Sequence, residues 1–362
     1  MTALLLLTAC PQPDPIAVDD TGSAPLPTIV EGAQQGDPGI ASAHRIAFGP
    51  QGWLAIGDGD NDRLVLVQVP ALDAIDGAFA DIDDLDSAVG DATGANSVDM
   101  NDVSVDPETG RTYLAASVGA SDAGVVLRVE EDGSLVALDL SDVTYAVIEY
   151  PSVDDLGSHV YDMVWTESHL VLAVTEWTWS PSQVVTIERP LTHEATAGVA
   201  STSTYHRTHN SWETTAPITT LFAYEDSETS WVGASYQCAP VVRFDVADLA
   251  AGGEVVGETP FDYGGGRQVL DFEVQGDGIL GAVYGLGDGS NWDSVAGTEI
   301  DASYFFATEI DEEASIAFNR SGEEKFDYAR LDESLDLIYR FSVLDDARVV
   351  AYQDGALRVV TR

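Results

Sequence analysis

Asp58, Asp60 and Asp62, in the run Asp58-Gly59-Asp60-Asn61-Asp62, stand at alternate positions. This is the opening spacing of many calcium loops, because a hard cation takes several oxygens at close range. The run departs from the EF-hand pattern further on: Val69 occupies the twelfth place, and Arg63 would crowd a cation. A hydrated turn is the other reading. His206 and His209, three apart, would suit a metal on a helix, but their Ser/Thr-rich surroundings carry no helical pattern. A second group of candidates lies at corresponding places of a repeat: Arg45, Asp102, Asp162, Thr220, Asp271 and Asp336, with His44, Asn101, Tyr161 and Arg267 nearby. Gathered around one axis, they would form a charged ring able to bind a ligand, and several like charges there should raise some carboxylate pKa values. Alternatively, the aspartates cap backbone amides and lock one repeat unit to the next.

The elements that would position this ring are strands. In the stretch 96–140, Val103 and Val105 alternate with polar neighbours and stop at the turn signal Asp106-Pro107-Glu108-Thr109-Gly110. Tyr113 to Val118 and Gly124 to Val129 follow, and Glu131-Asp132-Gly133 turns into Leu135 to Leu140. Four short strands joined by tight turns make an antiparallel meander, which buries little alone and needs neighbours. Its opening pattern returns at Arg45, Asp162, Thr220, Asp271 and Asp336, at intervals of 51 to 65 residues. The expectation is an all-β chain, a six-bladed β-propeller of four-stranded antiparallel blades. Because the last unit has three strands, ending at Leu357 to Thr361, Thr28 to Glu31 is expected to close the ring as the missing strand. Helical signals are confined to Pro70–Asp76 and Asp245–Ala251.

Composition narrows the partners. The chain has 362 residues, with 62 Asp and Glu against 15 Lys and Arg, and its net charge is −47. Such a field repels nucleic acid and anionic membrane surfaces. An apolar content of 45% is enough for a real core. Residues 1–10 contain the apolar run Leu4 to Leu7, followed by Thr8-Ala9-Cys10; residues 11–24 are a Pro/Asp-rich tether that cannot pack; residues 25–362 hold the propeller. The chain has two cysteines, and Cys238 reads as a buried thiol. Long departures from the repeat fall at 71–94, 193–216 and 286–302, where binding loops are expected.

Leu7-Thr8-Ala9-Cys10 resembles the lipobox of bacterial lipoproteins, which implies a lipid anchor at Cys10 and export to the outer membrane, facing the periplasm or the surface. Asn101 to Asp106 followed by Gly110-Arg111-Thr112-Tyr113 resembles the blade motif of NHL-type and gluconolactonase-like propellers, which speaks for fold more than function. Asn96 to Asp99, and His159 ahead of Asp162 with Leu170-Val171-Leu172 after it, resemble blades of arylsulfate sulfotransferase-like propellers. That resemblance implies His159 as a nucleophile assisted by Asn96, with Arg45 or Arg267 offsetting charge. The family's further histidine is Gly94 here, and the negative field would repel an anionic aryl sulfate. The sequence therefore favours a monomeric, lipid-anchored propeller that binds a protein, glycan or small molecule. A sulfotransferase-like or lactonase-like enzyme at the channel mouth is the alternative. Calcium is the one cofactor the sequence suggests.

Overall fold

Val98–Val105, Thr112–Val118, Ala123–Val129 and Leu135–Ala137 form one antiparallel sheet in chain order. The turn after Val105 closes as its composition requires. Asp106 accepts from the Glu108 amide (2.9 Å) and the Thr109 hydroxyl (2.6 Å), and Gly110 takes a positive φ of 69°. The computed structural model describes residues 27–150, 159–175, 182–194, 197–206, 211–213, 217–225, 229–236, 240–262, 267–275, 278–285, 301–309, 329–332, 338–353 and 355–361. Cys10, Cys238, His209 and Asp336 lie outside them.

The chain is an all-β propeller. The meander above is its second sheet. The first runs Gln34–Gly36, Val143–Glu149, Arg63–Gln68, Trp53–Asp58, Ile46–Phe48, so its outer part comes from residues on the far side of the second sheet in the chain. The third pairs His159–Trp165, His169–Thr175, Gln183–Glu188, Gly198–His206 and Ser211–Glu213, and Gly253–Val256 lies parallel to Gly198–His206. The fourth joins Ile218–Glu225, Ser230–Tyr236, Pro240–Asp245 and Glu258–Asp262. The fifth joins Arg267–Gln275, Gly278–Gly285, Asp301–Glu309 and Ala329–Asp332, and the sixth Ile338–Val343, Arg348–Gln353 and Ala356–Thr361. Among the described residues, only the second, fourth and fifth sheets show the four strands expected of each blade.

Hydrogen bonds between inner strands give the order in space. The Ile46 amide donates to Asp102 Oδ2 (2.9 Å), and the Val105 amide to Ser342 Oγ (3.1 Å), so the second sheet lies between the first and the sixth. The Trp165 indole donates to the Ala47 carbonyl (3.2 Å), which sets the third sheet on the other side of the first. Apolar side chains fill the spaces between facing sheets: Leu64, Leu66, Val160, Met163, Leu170 and Leu172 make one such layer. Burial of this kind is the main favourable term in folding.

The expected N-terminal closing strand does something else. Val30–Glu31 pairs in parallel with Leu191–Thr192, and Ile29 and Val30 pack into the layer just named. The outer edge of the sixth sheet is instead met by the acidic insert. Ile82 and Leu357 exchange backbone hydrogen bonds of 3.0 and 2.9 Å, and the Leu85 amide donates to the Gly355 carbonyl (2.8 Å). Arg358 pairs with Asp81 (2.9 Å) and Asp83 (2.8 Å). The same insert bonds the second sheet, with the Ala80 amide on the Glu131 carbonyl (3.0 Å). It is a clasp across the seam between those two sheets.

The clasp contains a helix, Leu85–Thr93, where the sequence suggested none. Asp84 caps it by accepting from the Ser87 amide (3.0 Å), and Gly94 ends it at a φ of 76°. Leu85 and Val89 point into the core, one turn apart. The helix Val246–Ala251 falls where it was expected, capped by Asp245; 70–76 is not helical.

Candidate functional site

Five inner strands share one irregularity. Their register with the next strand slips between Met100 and Asp102, Val160 and Asp162, Ile218 and Thr220, Val269 and Asp271, and Ile338 and Arg340. Each slip leaves one extra residue: Asn101, Tyr161, Thr219, Leu270 and Tyr339. A bulge of this kind bends the strand and re-aims the extra side chain. All five extra residues line a single cavity of about 560 Å³ at one mouth of the central channel, together with Arg45, Arg340, Asp99, Met100, Val269 and Tyr352. The bulges thus turn one residue per strand away from the ladder and into a common site.

The residue after each bulge belongs to the ring. Arg45, Asp102, Asp162, Thr220 and Asp271 hold the places the repeat predicts. The sixth place belongs to Arg340 rather than Asp336, because the last repeat has drifted in register by four residues and the bulge falls at Tyr339. In spatial order the ring reads Arg45, Asp102, Arg340, Asp271, Thr220, Asp162.

The acceptors among these residues tie sheet to sheet. Asp102 takes the Ile46 amide, Asp162 takes the Leu221 amide (2.6 Å), and Asp271 takes the Phe341 amide (2.8 Å). Each also accepts the amide that follows it: Val103 (2.9 Å), Met163 (2.8 Å) and Phe272 (3.0 Å). Thr220 does the same job with its hydroxyl, accepting the Phe272 amide at 3.1 Å and donating to Asp162 at 2.8 Å. An arginine has only donors, so at its two places the bond is reversed. Arg45 donates to the carbonyls of Tyr161, His44 and Asn101, and Arg340 to the carbonyl of Leu270.

Burial governs the electrostatics. It pushes the Asp102 carboxyl up to about 6 against the pull of Arg45 and Arg340. It raises Asp271 as well, and it holds Glu273 well above the ordinary carboxylate range, where Asp271, Asp162 and Asp102 repel its charge. Arg45 is lowered to about 10, by burial first and then by repulsion from Arg340. The aspartates and Glu273 line a second cavity of about 330 Å³ deeper in the channel, walled by Phe48, Trp165, Phe272 and Phe341.

The other predicted residues are scattered. His44 is half-buried just before the inner strand of the first sheet, its amide bonded to the Gly57 carbonyl (3.1 Å). His159 and Arg267 begin the inner strands of the third and fifth sheets, opposite Thr175 and Gly285. Asn96 is not at the mouth. It is exposed beside the helix of the clasp, lining a cavity of about 710 Å³ with Asp84, Asp86 and Asp91. Asp58 is fully buried, and both its oxygens are occupied: Oδ1 by the amides of Ala41 (3.2 Å) and Ser42 (2.9 Å), Oδ2 by Asn61 (2.8 Å) and Arg63 (2.7 Å). The residue expected to crowd a cation thus neutralises the leading carboxylate, while Asp60 is exposed and Asp62 sits in a left-handed turn (φ 49°). Among the described residues, no three His, Cys, Asp or Glu gather as a metal site. Sequence reasoning missed Thr219, Leu270, Tyr339, Arg340 and Tyr352. The signal was available for two of them: Thr219 and Leu270 each lie immediately before a ring residue that the repeat marks.

No protein-family model and no curated protein matches the chain. Solved structures similar to it include the PQQ-bound form of aldose sugar dehydrogenase from Streptomyces coelicolor, 9% identical over 91% of this chain and 97% of that one, with a TM-score of 0.36. Another is Raptor from Chaetomium thermophilum, 10% identical over 89% of this chain and 28% of that one, with a TM-score of 0.35. Likeness at this level carries no argument about ligand or activity. Propeller architecture rests on the sheets described above.

Proposed function

We propose that the protein is a lipid-anchored, exported propeller that binds a small ligand at the channel mouth and does not transform it. In this reading the inner strands surround one channel, Cys10 holds the chain to the outer membrane through the tether 11–24, and the bulge residues present the ligand site. One observation carries the proposal: five independent bulges converge on one cavity. Irregularities of this kind cost ladder hydrogen bonds, and beyond the bonds that some of them make between sheets, such as Asn101 Nδ2 to the Ala43 carbonyl, all five present a side chain to the same cavity. The cavity size is that of a small-molecule site.

The sulfotransferase-like alternative gains no support from the geometry. It needs Asn96 beside His159 at the mouth, and Asn96 lies among carboxylates that would repel a sulfate.

A thermal-shift screen of the full chain against small polar and charged molecules tests the reading, because a ligand of the native state raises Tm by linkage. A compound that raises Tm for the wild type should lose its effect in Tyr339→Ala, whose ring is exposed at the mouth. Shifts that persist in that variant would move the site elsewhere. The anchor has its own test: Cys10→Ser should release the protein from the membrane fraction, and retention there would contradict it.

A further inference from the structure

The arginines whose side chains are described fall into two groups. Arg63, Arg111, Arg128, Arg243, Arg348 and Arg358 each pair with a carboxylate, as expected in a chain with a fourfold excess of acidic over basic residues. Arg45 and Arg340 do not: among the described residues their guanidinium groups meet backbone carbonyls only. Arg189, at the opposite end of its sheet, is the other arginine bonded to carbonyls alone. With so many carboxylates available, leaving two guanidiniums without one at the same mouth is unexpected, and the two are close enough to depress the pKa of Arg45. The carboxylate nearest in the ring, Asp102, has both oxygens engaged by backbone amides. Among the described residues, Nη2 of Arg45 and both Nε and Nη2 of Arg340 meet no acceptor and remain for a partner from outside.

Resting on the reading of the mouth as a ligand site, we propose that it takes a small organic acid with a ring, whose carboxylate sits between Arg45 and Arg340 while the ring lies against the tyrosines. A planar guanidinium matches a carboxylate with two parallel hydrogen bonds, and such bonds are about twice as strong as neutral ones. Tyr161, Tyr339 and Tyr352 supply flat apolar faces, with Tyr339 and Tyr352 5.5 Å apart. The net charge of the whole molecule does not forbid an anion. Charges beyond the screening length of about 8 Å at physiological salt are damped, and the mouth itself carries two guanidiniums against one lining carboxylate, Asp99.

Calorimetric titration of the full chain with glucuronate and with benzoate, each beside its neutral counterpart (glucose and benzyl alcohol), tests the proposal. At least one acid should bind at least tenfold more tightly than its counterpart, and added salt should weaken it. Arg340→Gln, which gives up the bond to the Leu270 carbonyl, should lower that affinity at least tenfold with a loss of Tm no larger than one hydrogen bond accounts for. Tyr339→Ala, at an exposed position, should lower it severalfold. Neutral compounds that bind as well as acids would overturn the carboxylate assignment while leaving the mouth as a binding site. No binding of either acid at millimolar concentration, or full affinity in Arg340→Gln, would overturn it too.

Discussion

Asp271 and Arg340 sit at the same place in successive repeats, each one residue past a bulge, yet they serve different ends. Asp271 has two acceptor oxygens and uses both on backbone amides, one from its own strand and one from the sixth sheet. Arg340 has no acceptor to offer and turns one N–H back to the fifth sheet. The pair shows how a repeat position divides its labour. Where the side chain can accept an amide it becomes a joint between sheets, and where it can only donate it leaves donors facing the channel mouth.

Removing a joint should have the largest effect. Asp271→Ala strands the buried Phe341 amide and leaves the Phe272 amide to Thr220 alone, and a loss of about 2 kcal/mol is expected from hydrogen bonds of this type. Urea unfolding would show it as a lower midpoint, and a change below about 1 kcal/mol would mean the joints are not what holds the sheets.

The joints also predict a pH dependence. Asp102 has a folded-state pKa of about 6 against an ordinary 3.8. A carboxyl whose pKa rises on folding binds its proton more tightly in the native state. Its contribution is therefore full below about pH 4 and is lost as pH rises through 6. The whole shift corresponds to about 3 kcal/mol, and Asp271 shifts in the same direction. Tm should be higher at pH 5 than at pH 8, and Asp102→Asn should flatten the slope. A wild-type Tm that climbs from pH 5 to pH 8 would contradict this.

Two contacts of the clasp sharpen the same contrast between joint and ornament. Ile82→Ala, in the clasp, empties a buried site against the sixth sheet and should cost about 2 kcal/mol. Arg358→Ala breaks two half-exposed ion pairs there and should cost less than about 1 kcal/mol. The reverse order, seen by urea unfolding, would mean that charge rather than packing seals the seam.

Much of this fold was legible because the meander repeats its alternation and turn chemistry: Val103, Val105 and the Asp106–Gly110 turn behave as their types dictate. The ring places of five repeats followed from spacing alone. Arg340 did not, because the final repeat lost its aspartate and a four-residue drift is invisible without the bulge. The clasp helix was hidden by composition: Asp83, Asp84, Asp86 and Asp91 read as a solvated acidic loop, and the apolar pair Leu85 and Val89 is short. Nor does local sequence announce that Val143–Glu149 crosses back to the first sheet, since its alternation suits any outer edge. The site was half-legible for the same reason. A repeat marks the ring residues, whereas the bulges that build the mouth are a property of pairing between strands.

The central claim is that joints and recognition groups occupy equivalent places, and one matched pair tests it directly. Asp271→Asn, which keeps the shape but turns one acceptor into a donor, and Arg340→Gln, which removes the charge and most of the donors, should be measured for urea unfolding and for glucuronate or benzoate affinity. The expected result is crossed: Asp271→Asn loses stability and keeps most of its affinity, while Arg340→Gln keeps stability within about 1 kcal/mol and loses at least tenfold in affinity. If Arg340→Gln instead unfolds as easily as Asp271→Asn and binds the acid like wild type, the arginines are joints as well and the division of labour is wrong.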